Sequence, residues 1–193
     1  MTPFDLLFIL LFLLALSTLV LAITFVLRRQ FTRARRILWR LFLCACVYML
    51  IVIAVSLFLP RRIFKLGETQ CFDDWCAAVT AVRKVPEGDL VRYTVDLRLS
   101  SRALRVPQRE RNLALYLIDS HGRRYNPQFN PSDAPFDVLL QPQESAVASR
   151  SFLLPAGASQ VNAVIAHEGG FPIEWFIIGY DAWFHKPPVI EIP

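Results

Sequence analysis

The stretch Cys71-Phe72-Asp73-Asp74-Trp75-Cys76 sets two thiols five positions apart around a pair of carboxylates. Three chemistries suit such a pair: a metal site, a redox couple or a covalent crosslink. Zinc needs four ligands, and the only other cysteines, Cys44 and Cys46, lie inside a long apolar run. A thioredoxin-like couple has two residues between its thiols, and here there are four. If Asp73-Asp74 forms the two-residue loop of a hairpin, Phe72 faces Trp75 and Cys71 faces Cys76. That second pair is the non-hydrogen-bonded kind, with Cα atoms about 4.5 Å apart, within the range a disulfide accepts. The spacing therefore predicts a Cys71–Cys76 disulfide if the segment reaches an oxidising compartment, with a metal or redox role and free thiols as the alternatives.

Other reactive side chains are scattered. His121, His167 and His185 have neither the i, i+4 spacing of a helical metal site nor the i, i+2 spacing of a strand site. Asp73 and Asp74 provide too few oxygens for calcium and read as a solvated turn. The pairs Arg109 and Arg111, and Arg123 and Arg124, read as solvated faces. There is no Gly-x-Ser-x-Gly, no phosphate-binding glycine loop, no His-Glu-x-x-His and no EF-hand loop. No catalytic residue, cofactor or metal ligand is named, and the expectation is a protein that is not an enzyme. Phe171, Trp175, Phe176, Tyr180, Trp183 and Phe184 crowd one short tail, read as core packing of a penultimate strand, with an exposed binding or membrane-touching surface as the alternative.

What positions these residues follows from how charge and apolarity divide. Residues 1–66 carry nine Arg and Lys against one acid, Asp5, while residues 67–193 carry twelve against fifteen. The net charge of +5 thus belongs to the N-terminal part, and a nucleic-acid partner is not expected. The 22 uncharged residues from Leu6 to Leu27 span about 33 Å as a helix, and the 19 from Leu41 to Leu59 about 28 Å. Both match a hydrocarbon core, so transmembrane helices are expected at about 4–27 and 41–59. The segment 28–40 holds Arg28, Arg29, Arg33, Arg35, Arg36 and Arg40 with no acid, and is expected as a cytoplasmic loop. Both termini then face outward across the cytoplasmic (inner) membrane. No basic stretch precedes the first apolar run, which argues against a cleaved signal peptide.

Beyond Leu66 the pattern alternates. Tyr93, Val95, Leu97 and Leu99 share one face while Arg92, Thr94, Asp96 and Arg98 share the other, the period of a half-buried strand. Further strand-like runs are 77–85, 112–118, 146–154, 161–166, 174–178 and 189–192. Turn residues separate them at 86–89, 119–122, 155–157 and 167–170. The long connections 101–112 and 126–137 read as irregular loops. Some seven short strands predict an antiparallel β-sandwich over 67–193, preceded by the membrane anchor 1–66.

The succession GETQCF, RYTVDLRLSS, LALYLIDSHGRRY and SFLLPAG resembles the telokin-like, immunoglobulin-like extracellular domain family of unknown function found in bacterial lipoproteins and membrane proteins. Its most distinctive piece is the strand ending at Asp119, with Gly122 in the turn and Tyr125 after it, followed later by Phe152 and Pro155. The resemblance implies an Ig-like sandwich outside the cytoplasmic membrane and provides no catalytic residue. Function is expected to be presentation: the helices hold the domain at the lipid bilayer, and its loops or an open sheet edge bind an envelope protein, a ligand or a second copy. The alternative is an accessory or assembly subunit in which the two helices are the working part.

Overall fold

Arginine is a good helix former, and 28–40 contains neither proline nor glycine. In the computed structural model, which describes residues 3–72, 74–131, 133–167, 173–179, 182 and 184–192, α1 runs Pro3–Leu27 and α2 runs Phe31–Phe58. The segment expected as a loop is therefore mostly helix, and only Arg28, Arg29 and Gln30 connect the pair. Gln30 N–H reaches Phe25 O at 2.9 Å and Arg29 N–H reaches Val26 O at 2.8 Å, with Arg29 at φ 59°. These two bonds form a Schellman ending, here with arginine where glycine is usual. The helices bury only small residues and one valine, namely Ala22, Ala34, Val52 and Ser56, while Leu14, Leu50 and Leu57 stand exposed.

The chain divides into two compact units, Met1–Pro60 with Phe171–Lys186, and Arg61–Gly170 with Pro187–Pro193. This differs from the expected boundary at Leu66 for two reasons. Ile63–Phe64 forms a strand, β1, that pairs in parallel with Val189–Glu191, so it belongs with the sheets. In the first unit, Tyr48 Oη donates to Phe176 O at 2.7 Å, and His185 Nδ1 lies 3.1 Å from Ser56 O. The run 174–178, expected as a strand, instead falls in a 3-10 helix, Ile173–Phe176. A strand needs a neighbouring strand for its backbone groups, and a helical pair offers none, so the chain bonds to itself.

The second unit is a β-sandwich. After β1 come β2 (Gln70–Phe72), β3 (Trp75–Glu87), β4 (Leu90–Ser101), β5 (Leu113–Ile118), β6 (Arg124–Tyr125), β7 (Ser145–Pro155), β8 (Asn162–His167) and β9 (Val189–Glu191). One sheet has the order β1-β9-β8-β5-β6 and the other β2-β3-β4-β7. Alternation decides which side chains face inward. Tyr93, Val95, Leu97 and Leu99 of β4 meet Leu113, Leu115 and Leu117 of β5 in one core with Trp75, Phe152 and Ile165. Each such aliphatic side chain taken from water stabilises the fold by roughly 1.5–3 kcal/mol. The strands β1, β2 and β6 are too short to show a period and were not expected, while six of the seven expected runs form strands and 174–178 does not.

Candidate functional site

The hairpin at 71–76 starts the four-stranded sheet. Cys71 pairs with Cys76 and Phe72 with Trp75, and a disulfide joins the two cysteines with their Cα atoms 3.9 Å apart. Trp75 points into the core at 1% exposure while Cys76, the next residue along an alternating strand, faces the opposite side of the sheet. Gln70 Nε2 donates to Ile165 O in the other sheet at 3.3 Å. Asp74 O accepts from Arg102 N–H at 2.7 Å, and Asp73 lies outside the described residues. The thiols are spent on a crosslink that fixes where β3 begins.

From that fixed start β3 runs well past its neighbour. β2 covers only Trp75–Ala77, and Gly67 N–H reaches Val79 O at 2.7 Å. A register shift between Val79 and Ala81 then bulges the strand, and Thr80 Oγ1 turns to donate to Asp96 O at 3.1 Å. Beyond the bulge, from Ala81 to Glu87, β3 pairs with β4 alone among the described residues. Among the described residues no second strand pairs its far side, an edge of the kind to which an extended segment can add. The tight turn at Gly88-Asp89, with Gly88 at φ 60°, closes the arm and matches the twist of paired strands.

Charged side chains stiffen this arm. Arg83 meets Asp96 at 3.1 Å, and Lys84 Nζ sits 5.5 Å from the centre of the Tyr93 ring. Arg92 binds both carboxylate oxygens of Glu87 and holds it below the usual carboxylate range through that hydrogen bond. Pro86 has no N–H and, with Lys84 and the bulge, limits pairing to a short stretch around Ala81–Val85. Val85 is 53% exposed there.

The opposite edge of the same sheet is covered in its C-terminal half. Across β7, Gln128 N–H donates to Ser151 O at 2.7 Å, and Arg150 Nη2 donates to Ala134 O at 2.6 Å. The Arg150 guanidinium lies 4.0 Å from the Phe136 ring centre and 3.8 Å from Asp133, and burial lowers its pKa. The proline-rich loop 126–137 is thus a cover for β7.

The carboxylate with the most partners is structural. Asp119 ends β5 with a fully buried side chain and accepts from the N–H groups of His121 and Arg123, each at 2.9 Å, from Arg123 Nε at 2.6 Å and from Tyr125 Oη at 3.0 Å. Burial alone would raise its pKa, but these donors together hold it down to about 2. Gly122 at φ 75° closes the turn. This network gives the Asp119, Gly122 and Tyr125 spacing a physical purpose, the locking of a turn.

The remaining candidates stay apart. His121 lies beside Ser120 in that turn, His167 ends β8 and His185 lies in the unit of the helices. Among the described residues no group of three His, Cys, Asp or Glu is placed to hold a metal ion. Arg109 pairs with Asp137 at 2.6 Å, and Arg124 covers the Tyr116 ring at 3.9 Å. Trp175 is 46% exposed in the 3-10 helix, so it is not core of the sandwich, and Phe171, Tyr180 and Trp183 lie outside the described residues. Sequence reasoning missed the open stretch of β3. The broken alternation at Thr80-Ala81 was the available sign.

No protein-family model matches the chain, and no curated protein matches it. Among solved structures the chain is similar to the yjhA protein from Bacillus subtilis, at 14% identity and TM-score 0.47, over 67% of this chain and 99% of that one. It is also similar to an uncharacterised β-sandwich protein from Clostridium difficile, at 10% identity and TM-score 0.45, over 69% and 95%. A secreted protein from Mycobacterium tuberculosis matches at 9% identity and TM-score 0.45, over 69% and 99%. Likenesses of this strength carry no inference about activity, partner or location.

Proposed function

We propose that this chain is a non-catalytic, membrane-anchored binding protein of the bacterial envelope, whose two helices cross the cytoplasmic membrane and whose Ig-like sandwich stands on the extracytoplasmic side. Its working surface is the open stretch of β3, where an extended segment of an envelope protein adds as a further strand. The observation that carries this is the asymmetry of the four-stranded sheet: one edge is covered by the loop 126–137, while Ala81–Glu87 is paired on one side only. Three features support the placement. Both helices are long and apolar enough to cross a membrane, with most of their side chains unburied. A disulfide in the sandwich suits an oxidising compartment, and the six arginines at the bend favour the cytoplasmic side. The resemblance to the telokin-like family rests chiefly on the Asp119 turn with Gly122 and Tyr125.

A photo-crosslinking side chain at Ala81 tests this in whole membranes, with one at Ser151 on the covered edge as the reference. An adduct from position 81 and none from position 151 is the expected outcome. One observation favours a second reading, an accessory subunit working through its helices: the tail hydrogen-bonds to α2 at Tyr48. Adducts forming only from helix positions such as Leu14 would replace the first reading with that one.

A further inference from the structure

The bend of the helical pair carries a groove that the binding role of the sandwich does not use. It is a shallow, open groove of about 530 Å³, with Val26 of α1 on one side and Phe31, Leu38, Trp39 and Phe42 of α2 on the other. Ala34, 2% exposed, forms its floor, and its small side chain leaves room for an occupant. The Trp39 and Phe42 rings stack at 5.7 Å and make a flat wall. Arg35 is the one charged residue lining it. Helical geometry explains why: Phe31, Arg35, Leu38, Trp39 and Phe42 follow i, i+4, i+7, i+8 and i+11 along one face, whereas Arg33 and Arg40 fall on the far side and Arg36 at the flank. All six arginines of 28–40 are exposed, none forms an ion pair among the described residues, and no acid lies in the segment.

We propose that this groove binds an anionic phospholipid, with an acyl chain against the aromatic wall and the phosphate at Arg35. The inference rests on the membrane-spanning reading of α1 and α2. Charge complementarity selects the occupant. A groove lined by apolar side chains takes a hydrocarbon chain, and a mouth carrying a guanidinium within an acid-free arginine cluster takes a phosphate-bearing anionic headgroup over a zwitterionic one. A tryptophan at the edge of a span sits at headgroup depth, which places Trp39 where chain and headgroup meet.

Trp39 reports on its own neighbours. The full chain is reconstituted in phosphatidylcholine vesicles containing a minor fraction of either brominated phosphatidylglycerol or brominated phosphatidylcholine, and the Trp39 signal is the fluorescence lost in Trp39→Phe. Brominated phosphatidylglycerol is expected to quench that signal more strongly at equal mole fraction. Arg35→Gln should reduce the preference about fivefold, the effect of one guanidinium at an anionic surface. Arg40→Gln, on the opposite face, should leave it nearly intact, and inorganic phosphate at matched ionic strength should not displace the lipid. Equal quenching by the two lipids overturns the site. So does an equal loss in Arg35→Gln and Arg40→Gln, which is diffuse surface attraction, and so does displacement by free phosphate. If neither lipid quenches Trp39, the membrane-spanning reading fails together with the site.

Discussion

The helical pair and the sandwich use the same apolar residue types in opposite ways. In α1 and α2 the leucines stand outward, with Leu14 at 60% and Leu50 at 66% exposure, and the few buried residues are mostly small. In the sandwich the leucines of β4 and β5 are sealed between two sheets and the charged residues stand outward. A water-soluble unit needs the second arrangement, because burying apolar area is its main source of stability. The first arrangement is stable where the surroundings are themselves apolar. Under the proposed membrane anchoring the two regions meet two different solvents, and the contrast yields measurable consequences.

The largest effect is expected at the sandwich core. Trp75→Ala should cost about 3–5 kcal/mol in denaturant unfolding of the second unit, whereas Trp175→Ala, half exposed in the first, should change stability by no more than about 0.5 kcal/mol. Similar losses at the two tryptophans would erase the contrast. Next comes a charge on the outer face of α1. Leu14→Arg should raise the cost of membrane insertion by about 2.5–3.5 kcal/mol, read as a fall in the carbonate-resistant fraction. The same change on the exposed surface of a soluble helix would have little effect, so an unchanged fraction argues against a spanning α1.

Smaller effects sharpen the picture within the sandwich. Replacing both Cys71 and Cys76 by serine should lower stability by about 2 kcal/mol, since the loop they close is short. An unaltered unfolding midpoint would mean the hairpin register holds without the bond. Asp119 gives a pH signature. Its folded value of about 2 lies below its ordinary 3.8, so its stabilisation is complete above that ordinary value and is lost as pH falls towards 2. Asp119→Asn should flatten the acid limb of stability measured between pH 5 and 2 and leave its shape near neutrality alone.

Legibility in the sequence followed the length of the periodic signal. The alternation of 92–99 and the uncharged runs 6–27 and 41–59 each extend over many residues, so burial in β4 and the existence of both helices could be read directly. The disulfide was readable because both cysteines belong to one hairpin, where local geometry decides their distance. The start of α2 was not, because arginines at 33, 35, 36 and 40 interrupt the apolar pattern without ending a helix. The run 174–178 was misread for a different reason. Its aromatic and β-branched residues suit a strand, and whether a strand forms depends on a partner that lies far away in the chain.

Composition and local spacing by themselves determined two apolar helices, an alternating β domain and the Cys71–Cys76 pairing, because each depends on neighbours within a few residues. Tertiary structure alone decided which sheet edge is covered and which is open, that Ile63–Phe64 joins β9, and that the aromatic tail returns to α2. Those outcomes depend on contacts between residues as far apart as Tyr48 and Phe176 or Phe64 and Ile190. A pattern along the chain specifies which face a side chain prefers, and only folding supplies the surface that meets it.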